Sequence, residues 1–521
     1  MSRRTWLSMS AVAGACACLS LAAARHTVRT EGGSISGTAA NGVRIFKGIP
    51  YAASPVGDLR WRPPQPAAAW SGVRAADAFG PDCPQTPYPP GSIYAAPPKP
   101  QSEDCLYLNV WTAANAGDRR PVMVWIHGGA LTRGSGATPT YDGSALTKKG
   151  VVVVTINYRL GPLGYLAHPA LTAESPHHAS GNYGVLDQIA ALTWVQRNIA
   201  AFGGDPASVT IFGESAGSWS VNTLVASPLA KGLFVRAIGE SGARFTYGAF
   251  LSDDRNGVTS ADKAGVAFAK TAGVDSLAAL RAVPADKLVA IAGFRTQETV
   301  DGWVFPDEVR TIFARKTHNN VAIIAGSNAN EMTTLTVPAS WPKTLEEYRT
   351  RVAAQYGDMV KDFDAVYPVT SDADVRDSWL GSQRDALFTL NMRTWARLTV
   401  AGGSKAYLYQ FTHVTPNPNP QLGAYHASEI AYVFNNARPA WMDVDRRLAD
   451  QMSSYWVNFA TTGDPNGKGV PAWTAYDLNA EPYMDLGDTP QVRTHLLKAQ
   501  LDFLERFQHR PQRPTAGVNR P

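Results

Sequence analysis

Cysteine is scarce in this chain, four in 521 residues, and no pair has the spacing of a structural zinc site. No His-Glu-x-x-His stretch occurs, and no glycine fingerprint for a dinucleotide, so metal-dependent hydrolysis and nicotinamide or flavin chemistry find no anchor. His177-His178 reads as an isolated surface pair, and neither metal nor cofactor is implied. The formal net charge is only +5. Arginines gather at the N-terminus and in residues 509–521 rather than along one helix face, which leaves no footprint for nucleic acid. No repeat and no flexible linker divides the chain, and nothing in it fixes an oligomeric state.

The apolar run that follows Met1-Ser-Arg-Arg-Thr-Trp-Leu7 is too short for a membrane span. It reads as an export signal over residues 1–24, cleaved after Ala22-Ala-Ala24. The paired arginines point to the twin-arginine route, with the general secretory route as the alternative. Lipid modification at Cys16 or Cys18 is a weaker reading, because the residues before them fit a lipobox poorly. The protein is therefore expected in the periplasm or outside the cell, without stable membrane insertion. Cys83 and Cys105 remain in the mature chain. An even pair in an exported protein predicts a disulfide, closing a proline-rich loop and restricting the unfolded chain by roughly 3 kcal/mol. Residues 509–521 read as a disordered basic tail, and residues 25–508 as a single catalytic domain.

The stretch Ser208-Val-Thr-Ile-Phe-Gly-Glu-Ser-Ala-Gly-Ser218 carries the strongest signal. A β-branched run enters Gly213-Glu214-Ser215-Ala216-Gly217, and a helix follows. That context describes a turn that lifts the Ser215 hydroxyl out of a sheet, with glycines where a β-carbon would strike a neighbouring element. Ala216 would offer a backbone N–H at the helix start, where donors are unpaired and the dipole favours an oxyanion. The pentapeptide alone is a weak motif; its surroundings decide.

Upstream, Pro121-Val-Met-Val-Trp-Ile-His-Gly-Gly129 reads as a buried strand ending in glycines, and Gly128 and Gly129 are assigned as further oxyanion donors. The competing reading is a turn that needs glycine only for its dihedrals. His127 reads as an architectural hydrogen-bonder. Downstream, the order serine, acid, histidine is required. Glu331 follows the strand-like Asn320-Val-Ala-Ile-Ile-Ala-Gly326 at its carboxyl end, where catalytic groups collect. Asp301 and Asp307 precede that strand and are set aside. His426 lies in a loop that runs into a helix, a fit position for an orientable base. His413 reads as a strand-end structural residue, His495 as part of a polar helical stretch and His509 as part of the tail.

Together with these motifs, further segments resemble the type-B carboxylesterases, the family that also holds the cholinesterases. They include Phe46-Lys-Gly-Ile-Pro-Tyr-Ala-Ala53, Ser102-Glu-Asp-Cys-Leu-Tyr-Leu-Asn-Val110, Gly181-Asn-Tyr-Gly-Val-Leu-Asp-Gln188, Phe202-Gly-Gly-Asp-Pro206 and Tyr455-Trp-Val-Asn-Phe-Ala460. The resemblance implies that Ser215, Glu331 and His426 hold the triad positions, and that Gly128, Gly129 and Ala216 hold the oxyanion positions. It also implies that Arg60, Glu103, Arg159 and Asp187 form structural ion pairs, that the loop closed by the cysteines lies near the pocket mouth, and that residues 258–300 and 341–381 help to wall the pocket. Two departures stand out. Met332-Thr-Thr334 lacks the glycine common after the acid, and Trp219 stands where a smaller residue is usual, either narrowing the acyl side or filling the core.

Alternating strand-like and helical runs predict an α/β-hydrolase fold, a large and mostly parallel sheet with helices on both faces and helical insertions. The expected activity is hydrolysis of small-molecule carboxylic esters through an acyl-serine intermediate. The same triad would serve amide, carbamate or polyester bonds, since the leaving group decides. A silent adhesion-type relative is a further alternative, opposed by the filled triad positions. The aromatic loop from Tyr88 to Tyr94 would suit apolar or aromatic esters.

Overall fold

Strands such as Val152–Ile156, buried at every position, must be covered on both faces, as in parallel sheets wrapped by helices. The structure, a computed structural model, describes residues 26–510 with the exception of Ala96. The export signal read in residues 1–24 lies outside them, as do residues 511–521. Among the described residues the main sheet has 13 strands. Parallel pairing runs unbroken through Val152–Ile156, Arg120–Ile126, Gly204–Glu214, Arg236–Glu240, Ala322–Asn328, Ala406–Phe411 and Pro482–Leu486. Antiparallel strands close both ends, beginning with Tyr107–Thr112 on one side and Gln491–Thr494 on the other.

The period-2 alternation of the strands divides the interior into two cores. Val122, Val124, Ile126, Val154 and Ile211 face helices Tyr183–Asn198, Ala216–Ala226 and Leu390–Ala401, which contribute Val195, Leu224 and Trp395. Their neighbours Met123, Trp125, Val153 and Phe212 face helix Asp443–Thr462, which contributes Leu448, Met452 and Trp456. Trp125 lies edge-on to Phe212 and Phe434 at 4.9 and 5.0 Å, a geometry that adds about 0.5–1.5 kcal/mol per pair beyond burial.

The insertions are helical. Ala261–Thr271, Leu277–Ala282 and Ala285–Val289 bury Phe268, Leu280 and Leu288 against Trp61 and Leu163. Leu345–Tyr356, Val360–Val366 and Asp372–Arg384 pack Tyr348, Tyr356 and Phe363 on Leu501, Phe503 and Leu504 of the last helix, Lys498–His509. That helix includes His509, which the sequence reading assigned to the tail; the amphipathic pattern of its Leu and Phe residues carries it further. His495, by contrast, is not helical. It follows strand Gln491–Thr494 in a left-handed turn with φ 58°.

Two ion pairs, one buried and one partly buried, brace the loops. Arg159 binds Asp187 through Nε and Nη2 at 2.8 and 2.7 Å, and Arg60 Nε donates to Glu103 at 2.7 Å. Both are architectural, since removing one partner would strand a buried charge. Cys83 and Cys105 are joined by a disulfide. No helix among the described residues is long and apolar enough to cross a membrane.

Candidate active site

The strand Gly204–Glu214 and the helix Ala216–Ala226 leave one residue between them, Ser215. Its backbone is left-handed, φ 56° and ψ −121°, a conformation that costs a side-chain-bearing residue about 1–3 kcal/mol and persists only where the surroundings enforce it. They do so here. Ser215 N donates to Glu240 O at 2.8 Å. A β-carbon at Gly217 would lie 2.0 Å from Ile126 O, and one at Gly213 would lie 2.5 Å from the same oxygen. The glycines therefore let the turn press against strand Arg120–Ile126.

At the end of that strand, a β-carbon on Gly128 would meet Glu214 O at 2.7 Å and the Ser215 β-carbon at 3.1 Å. The backbone of Gly128 thus abuts the serine. Gly129 has φ 106°, and its carbonyl accepts from Thr132 N and Arg133 N, both at 3.0 Å. The N–H groups of Gly128 and Gly129 donate to no acceptor among the described residues. Ala216 N opens its helix and has no intrahelical partner. His127 is buried and held by its neighbours. Its Nδ1 donates to Gly128 O at 2.8 Å, and its ring stacks on Tyr158 at 4.5 Å. Burial lowers its pKa to about 4 against the pull of the Gly128 carbonyl, so it stays neutral and fixes the loop.

Strand Ala322–Asn328 ends beside Glu331, which is fully buried. One carboxylate oxygen accepts from Asn328 N at 2.8 Å, and the other accepts from His426 Nδ1 at 2.6 Å. This acid–imidazole pair sets the tautomer and leaves Nε2 to face the turn that carries Ser215. Phe388 lies 5.2 Å from the imidazole, ring centre to ring centre. The short helix Met332–Leu335 follows Glu331 directly.

The surroundings contain acids that the sequence reading did not single out. His426 Nε2 lies 3.1 Å from Glu214 Oε1, and among the described residues Ser215 Oγ makes no hydrogen bond with the imidazole. Glu429 accepts from Asn328 Nδ2 at 2.5 Å, and Glu240 accepts from Trp456 Nε1 at 2.7 Å. Burial, opposed by the charge of His426 and reinforced by Glu331, pushes Glu214 up to about 7. Burial and the neighbouring Glu214 and Glu331 push Glu429 up to about 8, and burial beside Glu429 raises Glu240 well above the carboxylate range. For His426, burial opposes the charge, but Glu214 and Glu331 outweigh it and push the pKa up to about 9. Glu214 sits inside the pentapeptide, so its position was legible; its approach to His426, 212 residues on, was not.

His413 lies apart from this cluster. Its two ring nitrogens bind Asp488 at 2.6 Å and Asp445 at 2.9 Å. Asp301 caps a turn, accepting from Trp303 N and Phe305 N at 3.0 Å each. Trp219 is half-buried. Its ring packs against Gly242 and lies 5.4 Å beneath the Arg244 guanidinium, so it fills space beside the helix that follows Ser215. No group of three or more His, Cys, Asp or Glu among the described residues is arranged to hold a metal.

A family model described as the carboxylesterase family matches residues 24–504. A fumonisin B1 esterase of Sphingopyxis macrogoltabida is 38% identical over 488 residues, covering 88% of this chain and 85% of that protein. A para-nitrobenzyl esterase of Bacillus subtilis is 36% identical over 472 residues, covering 86% and 92%. The solved carboxylesterase EST55 of Geobacillus stearothermophilus superposes with a TM-score of 0.79 at 34% identity, over 92% of this chain and 99% of that one.

Proposed function

This chain belongs to the carboxylesterase family and is a carboxylic ester hydrolase, and on that premise we propose that Ser215, His426 and Glu331 carry the reaction through an acyl-serine intermediate. The observation that supports this reading most is the 2.6 Å contact from His426 Nδ1 to Glu331, made beside a serine held at φ 56°.

A neutral hydroxyl is a poor nucleophile. In the proposed mechanism the Ser215 hydroxyl turns to Nε2 of His426, which takes its proton as Oγ attacks the ester carbonyl; such contacts are often loose without substrate and tighten when it binds. Glu331 keeps the imidazole in the correct tautomer and stabilises the imidazolium without taking the proton. The N–H groups of Gly128, Gly129 and Ala216 receive the oxyanion, each worth roughly 3 kcal/mol to the transition state. His426 then protonates the departing alcohol. Water attacks the acyl-serine by the same route in reverse, and the acid leaves.

The same reading takes residues 1–24 as an export signal and residues 25–508 as one catalytic domain. The Cys83–Cys105 disulfide is consistent with an oxidising compartment. The test is Ser215→Ala in the purified mature protein. Turnover of a nitrophenyl ester should fall by about 10⁵–10⁶-fold with the fold intact; hydrolysis at near the parent rate would overturn the assignment.

A further inference from the structure

The loop closed by Cys83 and Cys105 touches both halves of the candidate site. Near its start, the Gln85 side chain binds both backbone groups of Gly134: Nε2 donates to the carbonyl at 2.9 Å, and Oε1 accepts from the N–H at 2.8 Å. Next to it, Thr86 O accepts from Arg133 Nε at 3.0 Å. Arg133 N in turn donates to Gly129 O, so this end of the loop braces the glycine segment that offers the oxyanion donors. The Arg133 guanidinium also covers the Tyr88 ring at 5.2 Å, and Tyr88 leans on Tyr94 at 5.7 Å.

Tyr94 reaches the other half. Its hydroxyl donates to the main-chain carbonyl of His426 at 2.9 Å and lies 2.6 Å from Thr334 Oγ1. Thr334 belongs to the helix Met332–Leu335 that follows Glu331. One phenol therefore joins the loop of the base to the helix behind the acid. The carbonyl it holds belongs to the peptide that leads into Ala427, whose backbone is left-handed, φ 67°. A non-glycine residue keeps such a conformation only where its neighbours over-determine it. Fixing that carbonyl fixes the peptide plane, and with it the direction in which the His426 ring leaves the chain.

We propose that Tyr94 is a positioning residue for His426 and Glu331, held in place by the Cys83–Cys105 loop closure, and that its role is in the rate of turnover rather than in substrate binding. This rests on the triad reading above. It also gives Tyr94, first read as an apolar surface for the substrate, a different task.

The test uses the full mature protein. Tyr94→Phe removes only the hydroxyl, and loss of that hydrogen bond should lower kcat about tenfold while KM stays within about twofold. Organophosphate labelling of Ser215 should slow by the same factor, and the melting temperature should hold. Cys83→Ala/Cys105→Ala should lower kcat in the same sense, and adding Tyr94→Phe to that double variant should have less effect than in the parent, because the two share one path. Thr334→Val should give a smaller loss than Tyr94→Phe. Parent kcat in Tyr94→Phe overturns the inference, and so does a raised KM with kcat unchanged, which would make Tyr94 a substrate contact. Ser215→Ala separates the two levels. If it is inactive while Tyr94→Phe turns over normally, the triad stands and the positioning role falls. If Ser215→Ala remains active, both fall.

Discussion

Glu214 Oε1 lies 3.1 Å from His426 Nε2 without a hydrogen bond between them, so the residue before Ser215 crowds the ring nitrogen that the serine must reach in the proposed mechanism. A general base works only when neutral, and His426 is pushed up to about 9 by Glu214 and Glu331 against the effect of burial. Activity should therefore rise as pH increases through that range and be lost as pH falls through it. Since Glu214 also titrates high, near 7, the rising limb belongs to the interacting pair.

Glu214→Gln removes one of the two carboxylates that hold the proton on His426. The rising limb of kcat/KM should move to lower pH, read from initial rates with a soluble nitrophenyl ester between about pH 6 and 10. A limb that stays in place, or moves to higher pH, would show that Glu214 does not act on the base.

His413 and His426 provide an internal contrast, because each is buried against a carboxylate yet only His426 lies beside the turn that carries Ser215. His413→Asn breaks contacts to Asp445 and Asp488. It should lower stability by about 1–3 kcal/mol in a urea titration while leaving the kcat of the folded fraction near the parent value. His426→Asn should instead lower kcat by about 10⁴-fold or more. Equal kinetic losses would remove the basis for choosing between them.

Gly128→Ala places a β-carbon within 2.8 Å of Glu214 Oε2 and 3.1 Å of the Ser215 β-carbon. To relieve the clash, the glycine loop must move away from the serine, taking its donors with it. The expected result is a loss of about 10²–10³-fold in kcat, the scale of a missing oxyanion contact. Unchanged kcat would mean that the donors lie elsewhere.

How much of this was legible in the sequence follows the range of each interaction. The Ser215 turn is local: a β-branched strand, two glycines and a helix start announce it, and the β-carbon distances at Gly213 and Gly217 give the reason. Glu331 was legible because its strand is apolar and short, and the carboxyl end of such a strand is known in advance. The pairing of Glu331 with His426 across 95 residues was placed by chain order and resemblance. What pattern could not give was the set of facing groups. Glu214, Glu240 and Glu429 come together only once the sheet order is set, and Tyr94 reaches His426 across 332 residues from within a loop closed by a disulfide. The limits of the last helix were missed for a simpler reason, that the proline-rich sequence after it masked the Leu and Phe pattern reaching His509.

The central claim is that Ser215 is the group that becomes acylated. Treatment of the purified protein with an organophosphate, followed by peptide mass spectrometry, tests it directly. The expected result is one phosphoryl adduct, on Ser215, that forms in step with the loss of ester hydrolysis and is absent from His426→Asn over the same interval. An adduct on any other residue that tracks the loss of activity, or hydrolysis that survives full labelling of Ser215, would contradict it.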